Sequence, residues 1–339
     1  MCTAATYKTK DFYFGRTLDY EFSYGEEVTI TPRNYSLHFR EKGDILSHYA
    51  MIGVAHVAEN YPLYYDAVNE KGLAIAGLNF VGNAYYRKRM GGKDNIAQFE
   101  LIPWILSQCA SVKEACALLG NINITDTVFS NKYPLAQLHW MISDRERSIT
   151  LESVKEGIKI YENPVGVLTN NPPFDMQLFN LNNYRHLSRG AVSATFAPDN
   201  FGLHLQEYSR GMGAMGLPGD LSSQSRFVRV AFVKTNSVSG CGEEESVSQF
   251  FHLLDFISQP RGCTAIAKDV WEYTLYASCC STRKGIYYYR TYDAHRICAV
   301  DLRREDPEGS ALIRHPLQRK LSVFLQNETA RPCDHTDRS

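Results

Sequence analysis

The sequence lacks several features that would point to a membrane, a secretory pathway or a nucleic acid. No segment reaches the roughly 18 apolar residues that a membrane-spanning helix needs, and no charged stretch followed by an apolar run marks a secretory leader. No block of basic residues is present, and 36 Lys and Arg residues balance 37 Asp and Glu residues. These absences argue against membrane and nucleic-acid partners and predict a cytoplasmic protein.

The cysteines lack the spacing of a disulfide framework or a metal site. Nine cysteines are present, an odd number, and none forms a CxxC pair, so we expect mostly reduced, buried thiols. Cys279, Cys280 and His295 are close in sequence, but adjacent residues of a strand point to opposite faces. We therefore predict neither a metal site nor a cofactor site.

What the sequence does contain is enough apolar residues for a large core, since 44% of its 339 residues are hydrophobic. Extended runs over residues 27–80, 136–168 and 272–302 alternate with helical spacing over 97–119 and 222–258. This order predicts an α+β chain in which helices cover packed sheets. No repeat and no linker is visible, so we predict that residues 1–326 form a single domain. The polar tail 327–339 is expected to be disordered.

The strongest chemical signal lies at the start of the chain. Removal of Met1 would leave Cys2 with a thiol and a free α-amino group on one Cα. An α-amino group titrates near ~7.7–8.0, so it can accept the proton of a neighbouring thiol and activate it as a nucleophile. The alternative is that Cys2 is a small buried apolar residue.

The residues after Cys2 predict a β-hairpin around a two-residue turn at 10–11. In that register Asp19 lies opposite Cys2, where its carboxylate would hold the α-amino group. Arg16 then points to the other face and needs a bulge beside it to reach the thiol. The alternative is that Arg16 and Asp19 form a surface ion pair.

Three further polar positions follow apolar runs. Asn79 ends the strand pattern of residues 73–80, and Asn170 and Asn171 stand side by side before two prolines that fix the backbone. All three amides are equally compatible with ordinary turns. Arg226 lies in the first turn of a predicted helix, where the helix dipole opposes a cation, so we expect it to have another partner.

Taken together, five ordered motifs resemble the choloylglycine hydrolase family, which includes bile salt hydrolases and penicillin V acylases. The resemblance extends to about residue 325. The motifs are residues 1–3, 14–19, 69–73 with 76–80, 168–172, and 216–220 with 225–227. The resemblance implies an N-terminal-nucleophile hydrolase with a four-layer αββα sandwich of two mainly antiparallel sheets.

The resemblance also implies a complete catalytic set. Its members are Cys2 as nucleophile with its own amine as base, Asp19 to position that amine, Arg16 and Arg226 as positive charges, and Asn79 (backbone N–H) and Asn171 (side-chain amide) as oxyanion donors. Asn170 is the alternative if the register differs by one residue.

The implied reaction is hydrolysis of glycine- or taurine-conjugated bile acids through a Cys2 thioester, in a cytoplasmic homotetramer. Aromatic residues at Phe22, Tyr24, Tyr64 and Tyr65 are expected to contact the steroid. Alternatives are a penicillin V acylase, another N-acyl amide hydrolase, or a non-catalytic amphiphile-binding protein. Within the family, bile salt hydrolases tend to have Asn directly after an Ala-Gly-Leu sequence, whereas the penicillin V acylases used for comparison have Tyr there. Asn79 occupies this position, which favours a bile salt hydrolase over a penicillin V acylase.

Overall fold

The computed structural model describes residues 1–191, 196 and 202–327. In chain order its strands are β1 (Cys2–Lys8), β2 (Phe12–Tyr20), β3 (Glu27–Thr31), β4 (Leu37–Phe39), β5 (Gly43–Ile45), β6 (Met51–Ala58), β7 (Tyr61–Asn69), β8 (Ala74–Asn79), β9 (Asp94–Ala97), β10 (Ile122–Thr125), β11 (Leu138–Ser143), β12 (Ser148–Val154), β13 (Gly157–Glu162), β14 (Val167–Leu168), β15 (Thr264–Ala267), β16 (Val270–Ser281), β17 (Ile286–Thr291), β18 (Cys298–Asp301) and β19 (Ile313–Pro316). Its α-helices are α1 (Leu101–Leu106), α2 (Val112–Leu119), α3 (Phe174–Asn180), α4 (Ser223–Asn236) and α5 (Glu243–Asp255).

Most strands belong to two large antiparallel sheets. Sheet A has the order β14-β1-β2-β16-β17-β18, with β15 beside β16. Sheet B has the order β13-β12-β11-β8-β7-β6-β3-β19. Sheet A therefore joins the first two strands of the chain to strands near its end, and this places β1 in the interior of the sheet.

The central strands of each large sheet are buried on both faces, which explains why their sequences are nearly continuous apolar runs. In β11, Trp140 and Ile142 pack in one core with α1 and α2, whereas Met141 between them packs in the core that contains β1 and β2. Phe227 of α4 and Phe250 of α5 pack against sheet A. The layers are therefore helix, sheet, sheet, helix, and the predicted αββα fold is confirmed.

The predicted elements agree with the structure where a pattern was regular. The strand at residues 27–31 has the predicted bounds, and the helical region 97–119 contains α1 and α2, with Ser111 Oγ accepting from Glu114 N at 3.2 Å. The sequence does not predict helix α3, because two prolines interrupt the pattern before it. Instead Pro173 occupies the position before its first residue.

Two predicted regions lie partly outside the described residues. Of the irregular stretch 187–221, residues 192–195 and 197–201 are not described, and the rest includes a short 3₁₀ helix at Met212–Ala214. The predicted tail lies outside the described residues from 328 onward. Within the described ranges no helix is both long and apolar enough to cross a membrane.

Candidate active site

Cys2 is the first residue of β1, and its register with β2 differs from the prediction. The hairpin loop has three residues, so Cys2 lies opposite Leu18 and Asp19 lies beside Met1, whose carbonyl accepts from Asp19 N at 2.9 Å. The prediction that Asp19 faces Cys2 was therefore wrong by one residue. This shift puts Arg16 and Cys2 on the same face of sheet A, since Ala4 pairs with Arg16, and no bulge interrupts the β1–β2 ladder.

Gly15 allows β2 to carry Arg16 close to the neighbouring strand. A Cβ atom at Gly15 would lie 2.0 Å from the carbonyl oxygen of Ser278 in β16. Only glycine permits this approach of the two backbones. The Arg16 N–H next to it donates to Ser278 Oγ at 3.2 Å.

The Arg16 guanidinium is fully buried between the two sheets. Its Nη1 donates to the carbonyls of Tyr65 (2.8 Å) and Gly77 (2.7 Å), at the point where the pairing of β7 with β8 ends. Its Nη2 has no partner in the described part of the chain. Burial alone would lower the pKa of Arg16, but the Cys2 thiol and nearby acidic groups, including Asp66, hold that pKa above its usual value.

Asp66 forms a polar connection between the sheets behind Arg16. Its carboxylate accepts from the hydroxyls of Tyr276 (3.0 Å) and Tyr287 (2.6 Å), which belong to sheet A. Burial raises the pKa of Asp66, while Arg16 and these hydroxyls oppose the rise. The network holds Asp66, the residue after Tyr65, and so stabilises the part of β7 whose carbonyl accepts from Arg16.

Asp19 and Arg226 lie on the opposite face of sheet A, which packs against the helices. Asp19 is fully buried and accepts from Thr17 Oγ1 (3.2 Å) and Thr274 Oγ1 (2.6 Å). Arg226, in the first turn of α4, donates through Nη1 to the Cys2 carbonyl (2.7 Å). Burial lowers the pKa of Arg226, against the attraction of Asp19 and Cys2. The additional partner expected for Arg226 is therefore the Cys2 carbonyl at the start of β1.

Glu272 is a residue of this region that the sequence did not indicate. When Met1 is present, the α-ammonium group of Met1 donates to Glu272 Oε2 and to the Asp19 carbonyl, both at 2.6 Å. Glu272 is buried, and burial raises its pKa against the attraction of that ammonium group. The Asp19 carbonyl and the Glu272 carboxylate therefore flank the start of the chain, and only the tertiary fold brings Glu272 there.

The structure brings Asn170, and not Asn171, to Cys2. Asn170 Oδ1 accepts from Cys2 N (2.9 Å) and from Arg226 Nη2 (2.8 Å). Asn171 is exposed, and its amide contacts the Val81 carbonyl (2.7 Å) and Asn83 Nδ2 (3.0 Å) instead. Geometry thus favours the alternative register that the sequence left open.

Asn79 presents its backbone polar groups to the same place. Phe80 N donates to Gln137 O (2.7 Å) across the β8–β11 side, so the N–H and C=O of Asn79 point to the other side. On that side the β7–β8 pairing has already ended at Ala76. The Asn79 carbonyl accepts from Asn170 Nδ2 (2.8 Å), which joins the two predicted oxyanion segments.

A cavity of about 330 Å³ opens onto these groups, and Cys2, Arg16 and Asn79 form part of its wall. Three of the predicted aromatic residues line it, namely Tyr24, Tyr64 and Tyr65. Phe22 does not line it but packs edge-on against Tyr24, with ring centroids 4.7 Å apart. Sequence reasoning missed other lining residues, which come from distant segments and share no motif: Tyr20, His56, Gln98, Phe99, Phe129 and Tyr133.

Comparisons with known proteins identify the family of the chain. The model of the family described as linear amide C–N hydrolases, choloylglycine hydrolase family, matches residues 2–314. A bile salt hydrolase/transferase of Lactiplantibacillus plantarum is 53% identical over 96% of this chain and 100% of its own length. A conjugated bile acid hydrolase of Lactobacillus acidophilus is 34% identical over 93% of this chain and 100% of its own length.

Solved structures give the same result. A mutant conjugated bile acid hydrolase from Clostridium perfringens superimposes with a TM-score of 0.88 at 35% identity, covering 96% of this chain and 100% of that one. Penicillin V acylase from Agrobacterium tumefaciens shares the fold, with a TM-score of 0.72 at 20% identity over 92% of this chain and 90% of that one. The chain therefore belongs to the choloylglycine hydrolase family of linear amide C–N hydrolases.

Proposed function

We propose that this protein is a bile salt hydrolase that cleaves glycine- or taurine-conjugated bile acids through a thioester on Cys2. The observation that carries the proposal is the meeting of the Cys2 thiol, the Arg16 guanidinium and the Asn79 backbone at the wall of one aromatic-lined cavity. Its volume of about 330 Å³ lies in the range of small-molecule sites. The similarity to proteins named bile salt hydrolase/transferase over nearly the whole chain supports this substrate class.

The proposed reaction begins after removal of Met1, which frees the amine of Cys2. That amine takes the thiol proton, and the thiolate attacks the carbonyl carbon of the substrate amide. The tetrahedral intermediate collapses as the leaving nitrogen of glycine or taurine takes the proton from the Cys2 ammonium group, and a thioester remains. Water, deprotonated by the same amine, then hydrolyses the thioester and releases the bile acid.

Charged groups on both faces of sheet A support these steps. Arg16 approaches from the face between the sheets and Arg226 from the face under the helices, so both favour the thiolate over the thiol. Asp19 and Glu272 flank the start of the chain and would hold the amine of Cys2 once Met1 is gone. In this scheme the carboxylates orient the base, and the arginines stabilise the nucleophile.

The oxyanion would be held by Asn79 N–H and by the side-chain amide of Asn170, which replaces Asn171 in this role. Asn170 Nδ2 donates to the Asn79 carbonyl, so it lies at the edge of the site facing the same side as the Asn79 N–H. An approaching substrate carbonyl would accept a hydrogen bond from Asn170 Nδ2 in place of the Asn79 carbonyl. Each such donor is worth ~2.7–4 kcal/mol in a transition state, enough to matter for an unreactive amide.

Substrate choice is expected to depend on the space beside Asn79. The Asn79 side chain is smaller than a tyrosine ring at the same place, so it leaves room for a fused-ring acyl group, whereas a ring would narrow the site for a flat phenoxyacetyl group. We expect kcat/KM for a conjugated bile salt to exceed that for penicillin V by at least about tenfold, or ~1.4 kcal/mol.

A single panel assay measures this ratio, with release of free glycine or taurine recorded beside release of the penicillin nucleus. A second panel of simple N-acyl amides controls for general acylase activity. Comparable or reversed ratios would make penicillin V acylase, or another N-acyl amide hydrolase, the better assignment.

We further propose a single catalytic domain over residues 1–326 that works as a cytoplasmic homotetramer. The free thiols of the described cysteines suit a reducing compartment. Large apolar side chains are exposed in the described part of the chain, among them Met176 (57%) and Phe179 (76%) of α3 and Tyr208 (82%). Such a surface suits contact with another copy of the chain.

A further inference from the structure

His139 of β11 is a fully buried histidine that contacts both segments of the proposed oxyanion site. Its ring stacks on Phe80, the residue after Asn79, with centroids 4.3 Å apart and planes within 7°. Its Nε2 lies 2.8 Å from the carbonyl oxygen of Thr169, the residue before Asn170. One imidazole therefore connects two segments that are far apart in sequence and meet at Cys2.

The hydrogen bonds of this ring define where its protons lie. A carbonyl oxygen only accepts, so Nε2 carries a hydrogen and donates to Thr169. The other nitrogen, Nδ1, faces Glu152 Oε1 at 3.1 Å, and both side chains are completely buried. One proton must therefore lie between Nδ1 and Oε1, and Glu152 is the hydrogen-bond partner of the ring on this side.

Glu152 extends this connection to the other end of the loop that carries Asn170. Its Oε1 also accepts from the backbone N–H of Phe174, the first residue of α3, at 3.0 Å. The loop 169–173 is thus held at its start by His139 and at its end by Glu152. Gln177 of α3 contacts both ends of this loop, because its Oε1 accepts from Thr169 Oγ1 at 2.7 Å and its Nε2 donates to the carbonyl of Pro172 at 2.8 Å.

We propose that His139 and Glu152 are positioning residues for the oxyanion site, and that they hold the Asn170 amide at a fixed distance from the Asn79 N–H. This inference rests on the proposed hydrolysis, and it adds a residue pair that touches neither substrate nor thiol. The physical requirement is strict, since a displacement of about 1 Å in a catalytic group can cost ~100-fold in rate.

The test compares His139→Gln with the wild type on whichever N-acyl amide the wild type hydrolyses fastest. A glutamine side chain can reach either the Thr169 carbonyl oxygen or Glu152 Oε1 but not both, and it lacks the ring that stacks on Phe80. We expect kcat/KM to fall by about 10- to 100-fold. We also expect the dissociation constant of the intact substrate, measured in a Cys2→Ala background, to change less than about twofold, because ground-state binding depends on the cavity and not on the oxyanion donors.

His48 offers a matched control. It is also buried, and its two ring nitrogens lie 2.8 Å from the carbonyls of Tyr35 and Tyr49, but it does not line the cavity. His48→Gln should keep the wild-type kcat/KM even if it lowers the melting temperature. An equal loss of kcat/KM in both variants, or a loss in His139→Gln matched by weaker substrate binding, would overturn the positioning role.

Glu152→Gln provides a second, isosteric variant if His139→Gln does not fold. With its hydrogen on Nε2, the ring needs a donor opposite Nδ1, and one atom of a glutamine amide cannot both donate to Nδ1 and accept from Phe174 N–H. The loop should therefore loosen, and kcat/KM should fall about tenfold or more. A folded Glu152→Gln protein with wild-type kcat/KM contradicts the inference. A wild type without activity on bile salts, but with these losses on another amide, would reject the proposed substrate and keep the positioning pair.

Discussion

Replacing Cys2 by alanine is expected to lower kcat by at least about 10⁴-fold, because no other group in the described site can form the acyl intermediate. Cys2 is a small side chain at the end of a strand, so the loss of its sulfur atom should leave the fold intact. The measurement is turnover of a conjugated bile salt together with a thermal unfolding curve.

The control for this variant is Cys279→Ala. Cys279 is also a buried thiol of sheet A, but it does not line the cavity, and burial raises its pKa well above the usual value. That variant should keep full activity. If Cys279→Ala lost as much activity as Cys2→Ala, or if Cys2→Ala kept wild-type turnover, a different nucleophile would be required.

The second large effect is expected at Asn170. Asn170→Ala removes the proposed oxyanion donor and the acceptor shared by Cys2 N and Arg226 Nη2, so kcat/KM should fall by about 10²- to 10³-fold. Asn171→Ala, one residue on, removes an exposed amide that contacts Val81 and Asn83, and kcat/KM should stay within about threefold of the wild type.

This neighbouring pair tests the register directly, since both variants delete the same amide in the same loop. Steady-state kinetics and melting temperatures of the two proteins would be compared side by side. A severe loss in Asn171→Ala with an active Asn170→Ala would restore the assignment that the family motif first suggested.

Residues whose roles depend on local chain order were predictable from the sequence. Cys2 at a strand end, Asn79 at the end of β8 and Arg226 in the first turn of α4 lie in the predicted elements. Periodicity identified these elements because each buries a regular set of apolar side chains. The presence of the five motifs in one order then pointed to the family to which the chain belongs.

Residues whose roles depend on register were less accessible. One additional loop residue moved Asp19 away from Cys2 and brought Arg16 onto the face of the thiol, and no local propensity distinguishes a two-residue from a three-residue loop here. The choice between Asn170 and Asn171 depends on which amide the loop turns inward, and the loop is contacted by His139 of β11 and Glu152 of β12, far away in sequence. Glu272 and the cavity residues meet only through the tertiary fold.

The central claim is that the active enzyme uses a Cys2 thiol beside its own free amine. Intact-mass measurement of enzyme quenched in acid during turnover of glycocholate tests it most directly. We predict a chain that lacks Met1, together with a second species heavier by one cholyl group, which peptide mapping of the acid-quenched protein places on the N-terminal peptide that begins with Cys2. A fully active protein that retains Met1, or an acyl group on any other peptide, would contradict the account.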